Sequence, residues 1–244
     1  AEELGQKTDK HLQVIVVLDV LEVEKFIPYR VSAFAGRPPI DRSMMARSFV
    51  AKAVLNIPTT LALIDRLKVD AVLRRICGFE TKLPSEGTFS NVFAEFAESG
   101  MLQKIHETIV REAYADKLVC HVSRDATAIE GREKPVKPCT KQTTSEPKKR
   151  GRPKKGEEAP VKDPTRIEKQ MSMTIAEMLA DLPTQCDVGG KKNSQGNPDW
   201  WVGFKLHLDV DDHGIPLTAV LTSASLHDSQ VAIPLENLTN SRVA

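Results

Sequence analysis

The sequence predicts an α+β protein in which a helical amino-terminal region is followed by β-strands. Apolar residues recur at helical spacing between about residues 41 and 115, whereas apolar and polar residues alternate strictly over residues 204–211. Between these regions, residues 132–165 are rich in proline and charge and include no aromatic side chain. With 244 residues, of which 41% are hydrophobic, the chain is long enough to bury a sizeable core.

The first half of the chain is predicted to be helical. Residues 1–35 hold one apolar run, 11–21, which is compatible with either a strand or a helix. Asp41 is a suitable N-cap for a helix that ends before Pro58. Four further helices are expected to begin near residues 59, 70, 85 and 101. We therefore expect an N-terminal segment, 1–35, and a helical domain, 36–116, of about five short helices.

The second half is predicted to contain a sheet and an insertion. β-branched runs and the alternating pattern indicate three strands, the last two of which form a hairpin. The strands are expected at residues 118–125, 200–211 and 215–222, and helices at 166–181 and from about 229. Residues 132–165 cannot bury enough apolar surface to offset their chain entropy. We therefore expect a disordered basic insertion within a domain of residues 117–244.

The net charge of +1 conceals a segregation of charge along the chain. Residues 132–169 carry a charge of +7, so the remaining residues carry −6. The whole-chain charge is therefore a poor guide to partners. The four cysteines lack metal-ligand spacing, and no apolar run approaches the roughly 20 residues that span a bilayer. These features favour a cytoplasmic protein with reduced thiols and no membrane partner.

A short basic motif lies within the insertion. Its Arg-Gly-Arg-Pro centre resembles the AT-hook, whose extended backbone lies in a narrow A·T minor groove with arginines reaching along it. Gly151 lets the backbone approach the groove floor, Pro153 keeps it extended, and the cations neutralise phosphates. The DNA-binding candidates are Lys148, Lys149, Arg150, Gly151, Arg152, Pro153, Lys154 and Lys155. A solvated basic linker is the alternative interpretation.

A second candidate site lies at the end of the first predicted strand. Asp125 could hold a divalent cation at the edge of a sheet, although one carboxylate rarely binds Mg2+ without others beside it. A turn or helix-cap residue is the alternative. Lys205 and His207 on the predicted hairpin could lie beside such a site or approach phosphate, or they could belong to a solvated face of the strand.

Seven short motifs follow one another between about residues 36 and 238. They are Gly36-Arg37-Pro38-Pro39, Leu73-Arg74-Arg75-Ile76-Cys77-Gly78-Phe79, Pro84-Ser85 with Thr88-Phe89-Ser90, Arg124-Asp125-Ala126-Thr127, Gly203-Phe204-Lys205-Leu206-His207, Gly214-Ile215-Pro216-Leu217 and Ser225-Leu226-His227-Asp228-Ser229. Each motif is only moderately specific, but in this order they resemble bacterial insertion-sequence DDE transposases.

This resemblance implies a DNA-binding helical domain followed by a ribonuclease-H-like catalytic domain, in which three acidic residues hold Mg2+ or Mn2+. Asp125 falls at the first ligand position. The second aspartate and the glutamate would lie past Ala244, so we expect an incomplete catalytic domain, truncated at its C-terminus. Asp228 falls in the family's His-Asp pattern, but we favour a loop residue that caps a helix starting near Ser229.

We therefore expect a DNA transposase fragment that binds the double-stranded ends of an insertion element and contributes to metal-dependent cleavage and strand transfer. It is expected in the bacterial cytoplasm, in association with the nucleoid, and a homodimer is an assembly open to the full-length protein. One alternative is a non-enzymatic DNA-binding protein that uses the AT-hook-like motif. Another is a metal-dependent nuclease of ribonuclease-H-like fold, which would need Asp209 or Asp228 within a few ångströms of Asp125.

Overall fold

A computed structural model describes residues 6–27, 40–80, 82–136 and 164–243 of the chain. Most of the predicted insertion lies outside the described residues, and with it the AT-hook-like motif at 148–155. The chain divides into two compact units, Ala1–Glu112 and Ala113–Ala244. Helices make up the first unit and the sheet lies in the second, so the α+β prediction is confirmed.

Six helices occupy the described residues from 9 to 114. They are α1 (Asp9–Leu21), α2 (Arg42–Val54), α3 (Thr60–Val69), α4 (Ala71–Ile76), α5 (Glu86–Glu98) and α6 (Met101–Tyr114), and a short 3-10 helix, Val23–Phe26, follows α1. The apolar run at 11–21, which is compatible with a strand by sequence, is therefore a helix. Helices α2 to α6 correspond to the five helices that the apolar spacing predicts.

Side-chain caps explain where the first five of these helices begin. In each case a polar side chain accepts a hydrogen bond from a backbone N–H of the first turn, which has no partner within the helix. The caps are Thr8 for α1, Asp41 for α2, Thr59 for α3, Asp70 for α4 and Ser85 for α5.

Asp70 also ties α4 to α1. Its carboxylate lies 2.9 Å from Nε2 of His11, which is 5% exposed on α1. Burial by itself would raise the pKa of Asp70, but the N–H of Leu73 and the ring of His11 bind the charged carboxylate, and the net pKa is lowered. The capping residue of one helix therefore also fixes the position of another.

Phenylalanines form the centre of the helical core. Phe89 on α5 is fully buried, and its ring meets that of Phe49 on α2 edge to face, with centroids 5.9 Å apart. Phe96 lies two turns further along α5 and also contacts Phe49, with centroids 6.3 Å apart. Such edge-to-face pairs favour the packing beyond simple area burial. Leu63 and Leu67 of α3 complete this core and are also fully buried.

The described residues of the second unit form a four-stranded antiparallel sheet and three α-helices. Its elements are β1 (Val122–Glu130), α7 (Arg166–Gln170), α8 (Ile175–Asp181), β2 (Asp187–Lys192), β3 (Pro198–Asp211), β4 (Pro216–Ser223) and α9 (Ala232–Val243). The long strand β3 pairs with each of the other three strands. Its register places Asp125 of β1 opposite Leu208, and Ala219 of β4 is paired with the same leucine.

Three elements differ from the sequence prediction. Strand β1 spans Val122–Glu130, whereas the sequence predicts it at 118–125. The single helix expected at 166–181 is two helices, because Thr174 caps a new one with its side chain and binds Glu177 in a capping box.

The sequence does not predict strand β2, since its Gly189-Gly190 pair is typical of a loop. Both glycines instead lie under indole rings, and an added Cβ would come within 2.5 Å of the Trp201 ring at Gly189 and 2.6 Å of the Trp200 ring at Gly190.

The faces of β3 are the reverse of those that its alternating pattern suggests. The polar residues His207 and Asp209 are 2% and 0% exposed, whereas Leu206 and Leu208 are only half-buried. Helix α9 explains the inversion, because the hydroxyl of its Thr239 donates to Asp209 over a distance of 2.7 Å. The interpretation of Lys205 and His207 as a solvated face is therefore wrong. The apolar face of β3 is the more open one among the described residues.

Candidate functional site

Asp125 lies in the middle of an exposed strand rather than at the end of a buried one. It is the fourth residue of β1, and its side chain is solvent-exposed. Residues directly opposite each other in an antiparallel pair project to the same face, so Asp125 shares the open face of the sheet with Leu208. One carboxylate oxygen accepts a hydrogen bond from the N–H of Ala126, at 2.7 Å, which restricts its orientation.

Arg124, the residue before Asp125 on β1, projects to the opposite face of the sheet. The guanidinium of Arg124 forms a bidentate pair with the carboxylate of Asp209, with Nε–Oδ1 at 2.7 Å and Nη2–Oδ2 at 2.8 Å. A hydrogen bond to the Asp209 carboxylate raises the pKa of Arg124, so the guanidinium is charged under all ordinary conditions. Thr239 and Thr218 complete this buried network, with their hydroxyl oxygens 2.7 Å apart.

The three secondary candidates, Lys205, His207 and Asp228, lie together. The ammonium of Lys205 is 3.0 Å from Oδ1 of Asp228 and 2.8 Å from the carbonyl oxygen of Leu226. Nδ1 of His207 is 3.8 Å from the same carboxylate oxygen, and its Nε2 is 2.9 Å from the hydroxyl of Thr222. Burial lowers the pKa of His207, although the negative charge of Asp228 acts in the other direction.

The predicted capping role of Asp228 is wrong. The short 3-10 helix that precedes α9 spans Asp228–Gln230, and its N-cap is His227, whose Nδ1 accepts from the N–H of Ser229 at 3.3 Å. Asp228 can turn towards Lys205 instead, because a capping side chain is already present one residue earlier. The cluster therefore anchors the loop between β4 and α9 to the centre of β3.

The described residues do not assemble a complete magnesium site. Asp125 lies on the open face, whereas Asp209 is held by Arg124 on the face that α9 covers, and Asp228 lies with Lys205 on that covered face. Within the described part of the chain, no group of three or more His, Cys, Asp or Glu side chains is arranged to hold a metal ion. A single carboxylate does not suffice for two-metal phosphoryl chemistry. The described residues thus keep Asp125 apart from Asp209 and Asp228 and form no three-ligand cluster.

Sequence reasoning missed the network around Asp209. Arg124 belongs to one of the seven motifs, but its partner lies 85 positions away, and the register of β1 against β3 cannot be read from periodicity. A signal was present in β3, where polar residues alternate with apolar ones. Such alternation identifies two faces, but it does not tell which face a helix will cover.

The fold and site together define a two-unit α+β protein with one exposed aspartate on the open face of an antiparallel sheet. Residues 2–95 match the family model described as a transposase domain (DUF772), and this match supports a transposase-type function. No curated protein and no solved structure matches the chain. None of the helices in the described ranges is long and apolar enough to cross a membrane.

Proposed function

We propose that the chain is part of a DNA transposase that binds the double-stranded ends of an insertion element. The observation that carries this proposal is the match of residues 2–95, which include α1 to α4 and most of α5, to a transposase domain. The +7 charge of residues 132–169 adds a polyanion-binding segment that the acidic remainder lacks. DNA binding is therefore assigned to the helical unit together with the basic segment.

Asp125 is the residue that we assign to the catalytic site of such a transposase. Its support is placement: the side chain is exposed on the open face of the sheet, and its one bond within the described residues is to an adjacent backbone N–H. A carboxylate so placed is available to a divalent cation such as Mg2+ or Mn2+. Because Asp125 belongs to no group of three or more metal-ligating side chains in the described ranges, a working site requires further ligands that those residues do not supply.

DNA binding is tested with the full chain and a library of random duplexes, followed by affinity measurements over a range of salt concentrations. If all six cations of residues 148–155 contact phosphate, log K should fall by about 5 for each tenfold rise in salt. Replacing Arg150 and Arg152 together by alanine should reduce that slope by about 2 and should abolish any preference for A·T sequences.

The matched control removes the same charge from the ends of the insertion, by the double substitution Lys134→Ala and Lys162→Ala. This control should retain the A·T preference. If deletion of residues 132–165 leaves both the affinity and the salt slope unchanged, the insertion has no dominant role in binding. If the full chain fails to bind duplex DNA at low salt, the proposed function is wrong.

One alternative remains supported by a specific observation. The absence of a three-ligand cluster around Asp125 in the described ranges favours a non-enzymatic DNA-binding protein over an independent nuclease. The nuclease would require Asp209 or Asp228 next to Asp125, and both lie on the other face of the sheet. The non-enzymatic alternative and the transposase proposal both predict DNA binding, and they differ only in whether Asp125 contributes to DNA cleavage within a complete site.

A further inference from the structure

Helix α1 exposes an apolar stripe on the side that faces away from the helical core. Leu12, Val16 and Val20 are 47%, 61% and 62% exposed, and their spacing of four residues places them on one face of the helix. The other side of α1 is buried through Val14 and His11. Adjacent exposed apolar side chains of this kind often mark interaction sites, so this stripe, which we call the α1 ridge, is a candidate binding surface.

An apolar groove lies directly beside the α1 ridge. It has a volume of about 710 Å³, and α1, α2, α5 and α6 contribute its walls. Phe93 and Leu102, which are 54% and 59% exposed, belong to its lining. Val17 links the two features, because it lines the groove and also lies in a shallow depression with Leu12 and Val16. We call this cavity the α6 groove.

The charges around the two features are complementary. The polar side chains that line the α6 groove are those of Lys52, Asn56 and His106, and none of its lining residues carries a carboxylate. The α1 ridge is flanked instead by the exposed carboxylates of Asp9 and Asp19. An acidic ridge edge therefore matches a groove whose rim contains a lysine, and opposite charges at such rims guide association.

We propose that the α6 groove receives the α1 ridge of a second copy of this chain. A twofold dimer uses the same patch on both subunits, which requires a self-complementary surface, and a ridge beside a groove meets that requirement. A helix that presents an apolar face is suited to bind in such a groove. The five ridge and groove side chains Leu12, Val16, Val20, Phe93 and Leu102 are each at least 47% exposed, so the dimer would remove apolar surface from water on both subunits.

A small-molecule ligand fits the α6 groove less well. Ligand pockets enclose most of the surface of the molecule that they bind. Phe93 and Leu102 in the lining of the α6 groove are both more than half exposed, so the groove is open and suits the surface of a partner better than a small molecule. The proposal does not depend on the proposed function, because it rests on the helical unit alone.

The test measures the oligomeric state of the full chain by sedimentation velocity over a range of micromolar concentrations. Val16→Lys places a cation in a groove that already contains Lys52, and Leu102→Asp places a carboxylate opposite the acidic ridge edge. Each should shift the monomer–dimer midpoint at least tenfold towards higher concentration. Both positions are exposed, so circular dichroism should show unchanged helix content.

Matched controls are Val69→Lys and Leu61→Asp on α3. Val69 is 86% and Leu61 is 54% exposed, and neither lines the groove. These controls should dimerise like the unmodified chain. A mixture of the Val16→Lys and Leu102→Asp chains should form a heterodimer, because one ridge–groove contact then gains an ion pair and the other is native.

Three results would overturn the proposal. The chain could remain monomeric throughout the concentration range, or the Val69 and Leu61 controls could weaken the dimer as much as the ridge and groove variants do. In the third case, the two variants would each weaken dimerisation but their mixture would not restore it, which would show that the ridge and the groove do not meet across the interface.

Discussion

Adjacent residues of β1 have opposite roles, and the difference follows from the faces of the sheet. Arg124 projects under α9, where it satisfies the fully buried carboxylate of Asp209 with two hydrogen bonds. Asp125 projects to the open face and bonds only to the next backbone N–H among the described contacts. Removing one partner of a buried ion pair leaves the other charge without compensation, whereas removing an exposed carboxylate does not.

The same substitution should therefore have different effects at the two aspartates. Asp209→Ala should lower the free energy of unfolding by about 2–3 kcal/mol. The substitution removes the carboxylate that pairs with Arg124, and it also removes an acceptor of Thr239. Asp125→Ala should change it by less than about 0.5 kcal/mol. Urea unfolding followed by tryptophan fluorescence measures both values, because the two tryptophans, Trp200 and Trp201, lie in β3.

Equal destabilisation by the two alanine substitutions would show that Asp125 is a structural residue and would remove the support for its place in a catalytic site. The sequence identifies Asp125 as a candidate through the motif around it. It does not separate Asp125 from Asp209, since both are aspartates within strand-like runs, and only the register between β1 and β3 assigns them to different faces.

At the level of elements, the helices follow from the sequence more directly than the strands do. Each of α2 to α5 begins at a side-chain cap, and a cap and its apolar spacing are both local signals. Strand β2 has no such signal, because its two glycines are required by tryptophans located about ten residues later. Contacts of this kind between strands are not visible in a single sequence.

The glycines of β2 provide a paired test of that explanation. Gly189→Ala should lower the free energy of unfolding by about 1–3 kcal/mol, because the added methyl group would meet both the Trp201 ring and the carbonyl oxygen of Ala224, at 2.5 and 2.8 Å. Gly190→Ala should lower the free energy of unfolding by less, because the closest atoms to its methyl group all belong to the ring of Trp200, which is 68% exposed and can move aside.

Urea unfolding of the two glycine variants measures the difference, and far-ultraviolet circular dichroism monitors the sheet. An equal decrease in the free energy of unfolding at both positions would indicate that the effect of a side chain on β2 does not depend on the indole ring above it. A larger cost at Gly190 would contradict the packing explanation directly. The Trp201 ring has less freedom than that of Trp200, since its Nε1 donates to the carbonyl oxygen of Phe204 at 3.1 Å.

Across the whole molecule, the near-neutral charge separates into a basic segment and an acidic remainder. The helical unit contains the transposase-domain match, and the sheet unit provides the one exposed aspartate that the proposal uses. Sequence motifs identify these parts and their order. They cannot establish whether other carboxylates approach Asp125, because that depends on which face each strand residue occupies.

The arrangement of carboxylates leads to a prediction about activity. Residues 1–244 should neither cleave nor join DNA in the presence of Mg2+ or Mn2+, since two-metal phosphoryl chemistry needs several carboxylates and the described residues form no group of three or more metal-ligating side chains. Incubation of the chain with supercoiled plasmid and with labelled duplexes, at concentrations where binding is saturated, measures cleavage and strand transfer. Metal-dependent activity that Asp125→Ala abolishes and Asp212→Ala, an exposed turn control, leaves intact would show that the chain completes an active site by itself.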